Sequence, residues 1–256
     1  MTPLLNSIRS TPILAALLPA MALLLVLCSN VSLAEETLFL AKYKGKYSGM
    51  TIKSSRKLVA KDDGSFAMLS NIENMMASIS ETSLFTLEDN QLKPSSYHYK
   101  RKIMGFKADE KVTFLWDKSV AQYRRKNKPE KNKDHAIALG VLDPALYQFQ
   151  LQREAQAGEK AFKLVFVKPG KVKTLLFQVT GEETLKVADK DYRALKVERI
   201  NMDDLKKTVI WLIPEFNYQI GRIEHTEEKG DSYAIHLTDY EYSPKLANTL
   251  YSLPSK

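Results

Sequence analysis

The chain of 256 residues holds one cysteine, two tryptophans, four histidines and ten glycines, and each shortage excludes a chemistry. A lone cysteine, Cys28, rules out an internal disulfide, a zinc–thiolate centre and an iron–sulfur cluster. His98, His135, His225 and His236 show none of the spacings of a metal-binding helix or finger. His225 and His236 fall on the two arms of one predicted hairpin and could face each other, yet no third ligand accompanies them, and His135 is expected in solvent beside a basic loop. No Gly-x-Ser-x-Gly elbow presents a serine nucleophile. The glycines build no phosphate-cradling loop, and Gly45 and Gly49 belong to a strand. The carboxylates Asp117, Asp143, Glu182 and Glu183 give no sign of converging as an acid–base pair. The expectation is a protein without catalytic residues, metal or cofactor. Aromatic-plus-basic motifs for nucleic acid are missing as well.

Charge is also scarce at the start. Arg9 is the only charged side chain before Glu35, and an apolar stretch from Ile13 to Cys28, interrupted by Pro19, follows it. Ser29-Asn30 then turns polar, and Ser32-Leu33-Ala34 sets small residues three and one before a cut between Ala34 and Glu35. A positive start, an apolar middle and a small-x-small end make residues 1–34 a cleaved signal peptide and the protein an exported one. The alternative is an uncleaved membrane anchor, for which the run of about 17 residues from Pro12 to Cys28 is at the lower limit. Lipidation at Cys28 would need a small residue before it, where Leu27 stands.

What remains, residues 35–256, reads as a single domain without disulfides, held by its core alone. Lys and Arg outnumber Asp and Glu by 38 to 30 over the whole chain, of which only Arg9 falls before residue 35. Period-two alternation dominates, the mark of half-buried strands. Phe39, Ala41, Tyr43, Gly45 and Tyr47 alternate with Leu40 and three lysines. Ser83, Phe85 and Leu87 share a face, as do Val112, Phe114 and Trp116. Asp62-Asp63-Gly64, Lys168-Pro169-Gly170-Lys171 and Glu228-Lys229-Gly230-Asp231 supply turns. Residues 124–135 are rich in Arg and Lys without apolar side chains, and predict a mobile basic loop able to touch a membrane surface.

One helix interrupts the strands. Asp143 can cap it, Pro144 suits its first turn, Leu142, Leu146 and Phe149 share a face, and Gly158 stops it. Roughly twelve short strands with close turns favour a mainly β fold, a curled antiparallel sheet or open β-barrel closed over by this helix. Its strands hold many aromatics. Tyr97, Phe114, Trp116, Phe149 and Trp211 are the residues expected to line an apolar cavity under the helix, suited to a lipid or another amphiphile.

Five segments then resemble one family. Phe114-Leu115-Trp116-Asp117, Gly140-Val141-Leu142-Asp143-Pro144, Gly181-Glu182-Glu183-Thr184-Leu185, Ala194-Leu195-Lys196-Val197-Glu198-Arg199 and Thr208-Val209-Ile210-Trp211-Leu212 are similar, in order, to the exported bacterial DUF3108 proteins. Gln219-Ile220-Gly221-Arg222 departs from a pattern that often has proline and valine there. The resemblance implies an all-β periplasmic protein with a curled antiparallel sheet. It is similar in build to lipoprotein-carrier folds, whose half-barrels hold acyl chains, an analogy of architecture alone. The expected function is non-enzymatic binding of a lipid or amphiphilic envelope component. The alternatives are an envelope assembly factor that meets a protein partner through its outer sheet and basic loop, and a cell-wall glycan enzyme.

Overall fold

The computed structural model describes residues 35–251, except 48, 169, 201–204 and 229. The expected signal segment, its small-x-small end and Cys28 lie outside the described residues.

Among the described residues fourteen strands form one antiparallel sheet, two more than the turn signals suggested. Eight come first: β1 (Glu36–Tyr47), β2 (Met50–Ala60), β3 (Phe66–Glu73), β4 (Ala77–Glu88), β5 (Gln91–Ile103), β6 (Phe106–Leu115), β7 (Val120–Arg125) and β8 (Lys133–Ala136). The helix α1 (Leu146–Gln156) follows. Six more complete the sheet: β9 (Ala161–Lys168), β10 (Lys171–Val187), β11 (Lys190–Ile200), β12 (Lys207–Ile213), β13 (Gln219–Thr226) and β14 (Ser232–Tyr242). A short helix, α2 (Lys245–Leu250), ends the fold and had no counterpart in the sequence reading.

Consecutive strands pair except β8 and β9, and the last strand returns to the first, joining two meanders along the β1–β14 seam. The edges are β8 and β9, and the connector between them spans the gap. Ile137 N–H donates to the Ser119 carbonyl on one side, and Leu142 exchanges two backbone hydrogen bonds with Val165 and Val167 on the other. An open sheet thereby becomes nearly closed, which hides backbone groups that would invite another strand.

The alternation holds where it was read. Phe39, Ala41 and Tyr43 are buried while Lys42, Lys44 and Lys46 are exposed. The basic segment differs from expectation. Instead of a loop from 124 to 135, it finishes β7, turns through Pro129–Lys131 and begins β8. Arg124 pairs with Asp134 at 2.5 Å, and Asn132 Oδ1 accepts from Arg125 N–H, so local polar bonds offset the lack of apolar burial. His135, expected in solvent, is buried on β8.

Helix α1 lies inside the curl. Asp143 Oδ1 accepts from the N–H groups of Ala145 and Leu146, supplying the expected cap, and Gly158 ends the helix at φ +89°. Leu146, Phe149, Leu151 and Ala155 are all buried. Phe149 meets Phe39 and Phe85 at 6.4 Å and Tyr251 at 6.0 Å between ring centroids. Tyr147 stacks on Phe166 of β9 and Gln152 donates to Gln219 of β13, so the helix is an internal plug that both meanders grip.

The seam depends on Gly45. A Cβ there would lie 2.0 Å from the Ala234 carbonyl oxygen of β14. Gly45→Ala is expected to destabilise the fold by about 2 kcal/mol or more, because backbone must move. Gly181→Ala, at a β10 bulge with nothing within 4 Å of the added carbon, is expected to change stability by less than about 0.5 kcal/mol. Urea denaturation of the pair measures the difference.

Candidate functional site

A cavity of about 420 Å³ opens on the concave face beside the first turn of α1. Pro144, Ala145 and Gln148 roof it. Strands β1 to β5 and β13 and β14 wall it. Ile52, Ile72, Ile79, Ile220, Ile223 and Ile235 make most of the wall apolar. A volume in the range of small-molecule sites, with few polar groups converging, is the usual form of a ligand pocket.

Arg56 is the main polar group. It is only 7% exposed, and alternation puts it inward with Ile52, Ser54 and Leu58. Its guanidinium donates to Gln148 Oε1 at 3.1 Å and to the Ala145 carbonyl at 3.0 Å. Both acceptors are neutral, and among the described residues no carboxylate lies within ion-pair distance of it. A buried cation without an anionic partner is costly.

Two more groups surround it. The Tyr43 hydroxyl, on a residue that lines the cavity, is buried and has no hydrogen-bond partner among the described residues. Burial pushes its ionisation well above the ordinary range, while the Arg56 charge pulls the other way. Glu81 lines the same wall, in register with Arg56 through Ser70 of β3, and accepts a hydrogen bond from the Tyr97 hydroxyl. Burial raises the Glu81 carboxyl above its usual value, against the pull of Tyr97 and Arg56.

Behind this wall sits a second buried acid. Asp143 accepts from Ser83 Oγ at 2.5 Å and from its two capped N–H groups. Burial nonetheless raises its pKa to about 7, and the neighbouring Glu81 adds to the rise. The cap and the cavity are thus electrostatically linked.

The five residues expected to line a cavity are elsewhere in the core, and none of them forms this wall. Phe114 stacks on Trp116 at 5.8 Å, and Trp116 Nε1 donates to the Pro94 carbonyl. Trp211 donates to Glu183 Oε2 at 2.9 Å, with Arg222 over its ring. Phe149 fills the centre of the plug. Tyr97 touches the site through Glu81 alone.

Sequence reasoning passed over Arg56 and Glu81. Both carried a usable signal. Arg56 is in phase with Ile52 and Leu58, and Glu81 with Ser83 and Phe85. A charge on the apolar phase of a strand marks a buried polar site.

The other candidates separate. Asp117 is exposed on the turn after β6, and Glu182 and Glu183 pair with Arg193 and Lys196. His225 lies opposite Tyr233, and His236 opposite Arg222, so the two histidines do not face each other. Among the described residues no cluster could hold a metal ion, and no helix is long and apolar enough to cross a membrane.

Fold and cavity together define a nearly closed, barrel-like antiparallel sheet with an internal helix and a small amphipathic chamber beside it. The chain belongs to the DUF3108 family, proteins of unknown function, whose model matches residues 50–238. That span contains every residue of the cavity wall except Tyr43 and Tyr47. No curated protein matches the chain.

Proposed function

We propose that this protein is a non-enzymatic binder of a single-chain amphiphile with an acidic head, held in the cavity beside α1. The observation behind it is Arg56, a buried guanidinium with neutral partners only, at the edge of an apolar chamber. A carboxylate or phosphate would give Arg56 an anion at hydrogen-bond distance, where Gln148 and the Ala145 carbonyl now stand and Glu81 does not reach, and the unpartnered Tyr43 hydroxyl would donate to the same head. The tail would lie along the isoleucines. About 420 Å³ matches roughly fourteen groups of water size, at ~30 Å³ each. That is one medium acyl chain. We further propose that binding takes place in the periplasm, after cleavage between Ala34 and Glu35; the N-terminal residue of the mature protein tests this.

Calorimetric titration with dodecanoate, dodecanol and dodecylamine checks the binding reading. Dodecanoate is expected to bind tightest. Arg56→Gln is expected to weaken it at least tenfold while changing dodecanol little, since a charge-assisted hydrogen bond is worth about 1.5–3 kcal/mol. Equal affinity for dodecanoate and dodecanol would remove the acidic head from the reading. No binding of any of the three would remove the chamber as a site.

A further inference from the structure

Every strand runs between two rims, so hairpin tips alternate between them. One rim holds the tips after β1, β3, β5, β7, β9, β11 and β13, and the other those after β2, β4, β6, β10 and β12. The rims differ sharply in chemistry. Eleven large apolar side chains are exposed among the described residues, and all but Leu139 and Tyr242 are on the first rim. Met75 is fully exposed, Met104 is 68% exposed and Phe106 80%. Exposed apolar groups gathered in one place, rather than scattered singly, mark an interaction surface.

Three tips of this rim are built to hold these side chains out. Asn74 Oδ1 accepts from the N–H groups of Met76 and Ala77, fixing the Met75-Met76 tip. Met104 N–H donates to the Met76 carbonyl at 3.0 Å and ties the next tip to it. Met104 and Gly105 form a two-residue turn at φ +46° and +86°. Asn or Gly is the usual first residue of such a turn, and an exposed methionine there does nothing for the fold. Met50 begins β2 on the neighbouring tip.

Charge divides the same way. Lys53, Lys100, Lys102, Lys107, Lys126 and Lys128 stand exposed around these tips, and none of them forms a salt bridge among the described residues. The opposite rim presents the exposed acids Asp62, Asp63, Asp89, Asp117, Asp189 and Glu215. The first rim also carries Glu73, Glu130, Glu228 and Asp231, and the second Lys118 and Lys190, but cations prevail around the methionine tips and carboxylates at the other end.

We propose that the methionine rim docks on an anionic phospholipid surface. Met50, Met75, Met76, Met104 and Phe106 enter the interface, and the lysine collar engages the headgroups. Apolar side chains borne on separate hairpin tips suit a fluid surface, and unbranched methionine adapts to it. The acidic rim is repelled by the same surface, which fixes the orientation. Tyr47, Asn74, Ala77 and Ile103 line the cavity and stand at this rim, so docking turns the chamber's mouth to the lipid.

Flotation with vesicles of phosphatidylcholine, with and without phosphatidylglycerol, tests the docking. Binding is expected only with phosphatidylglycerol, and raised salt should weaken it. Replacing Met75, Met76, Met104 and Phe106 by Ser should lower vesicle binding at least tenfold with an unchanged thermal melt, because all four side chains are exposed. Brominated lipid should quench a tryptophan placed by Met75→Trp but not one placed by Asp89→Trp on the far rim. Vesicle binding that survives the fourfold change, quenching at the far rim, or a self-dimer broken by the change without any lipid binding would overturn the proposal. It stands independently of the cavity ligand: Arg56→Gln should still float with vesicles, and the fourfold variant should still bind dodecanoate.

Discussion

Phe149→Ala is expected to cost about 3–5 kcal/mol of stability. The side chain is fully buried at the centre of the plug, where it meets Phe39 of β1, Phe85 of β4 and Tyr251 beyond α2. These partners come from three distant parts of the chain, so they cannot collapse together around the gap. A loss of that size is a large share of the 5–15 kcal/mol that holds a typical domain folded. Urea denaturation measures it, with Leu139→Ala at an exposed position as the control, expected within about 0.5 kcal/mol of wild type. A loss below about 1 kcal/mol for Phe149→Ala would mean that the barrel stands without its plug.

The second large effect is on pH. Asp143 has a folded-state pKa of about 7 against an ordinary 3.8, chiefly through burial. Between those values the folded chain holds a proton that the unfolded chain has released. Stability therefore falls as pH rises through this window and levels off above about 7. Glu81 is shifted in the same direction by the same cause. Wild type is expected to lose a few kcal/mol between pH 5 and pH 7.5, at about 1.4 kcal/mol per pH unit for one group. Acids that hydrogen bonds from basic partners hold low, Asp109 by His98 and Glu183 by Lys196, lose their contribution only at more acid pH.

Asp143→Asn should flatten most of that slope. The amide oxygen still accepts from Ala145 and Leu146, and the amide N–H can donate to the Ser83 hydroxyl. The variant is expected to match or exceed wild type at pH 7.5. Denaturation curves at both pH values decide this, and equal slopes in the two proteins would show that Asp143 is ionised throughout.

The strand pattern was readable because a sheet with one buried face writes its register into alternation. Phe39, Ala41 and Tyr43 against Lys42, Lys44 and Lys46 is one case, and the Asp143 cap with its Gly158 stop is another local signal of the same clarity. Arg124 to Asp134 misled because composition cannot show that Arg124 will meet Asp134 across a hairpin. The cavity was harder. Aromatic residues were expected around it, but large rings such as Phe149 and Trp211 fill space, and the chamber opens where isoleucines, serines and small roof residues leave it.

The sequence by itself determined the mainly β class, the capped helix α1, the hairpin turns and the family, since all of these are written in spacing between near neighbours. Only the tertiary structure decided that β14 returns to β1, that the helix lies inside the curl, that Arg56 shares a chamber with Tyr43 and Glu81, and that exposed methionines gather on one rim. Those facts are meetings between residues far apart in the chain. Alternation tells which way a side chain points, but the closure of the sheet sets which side chains it meets.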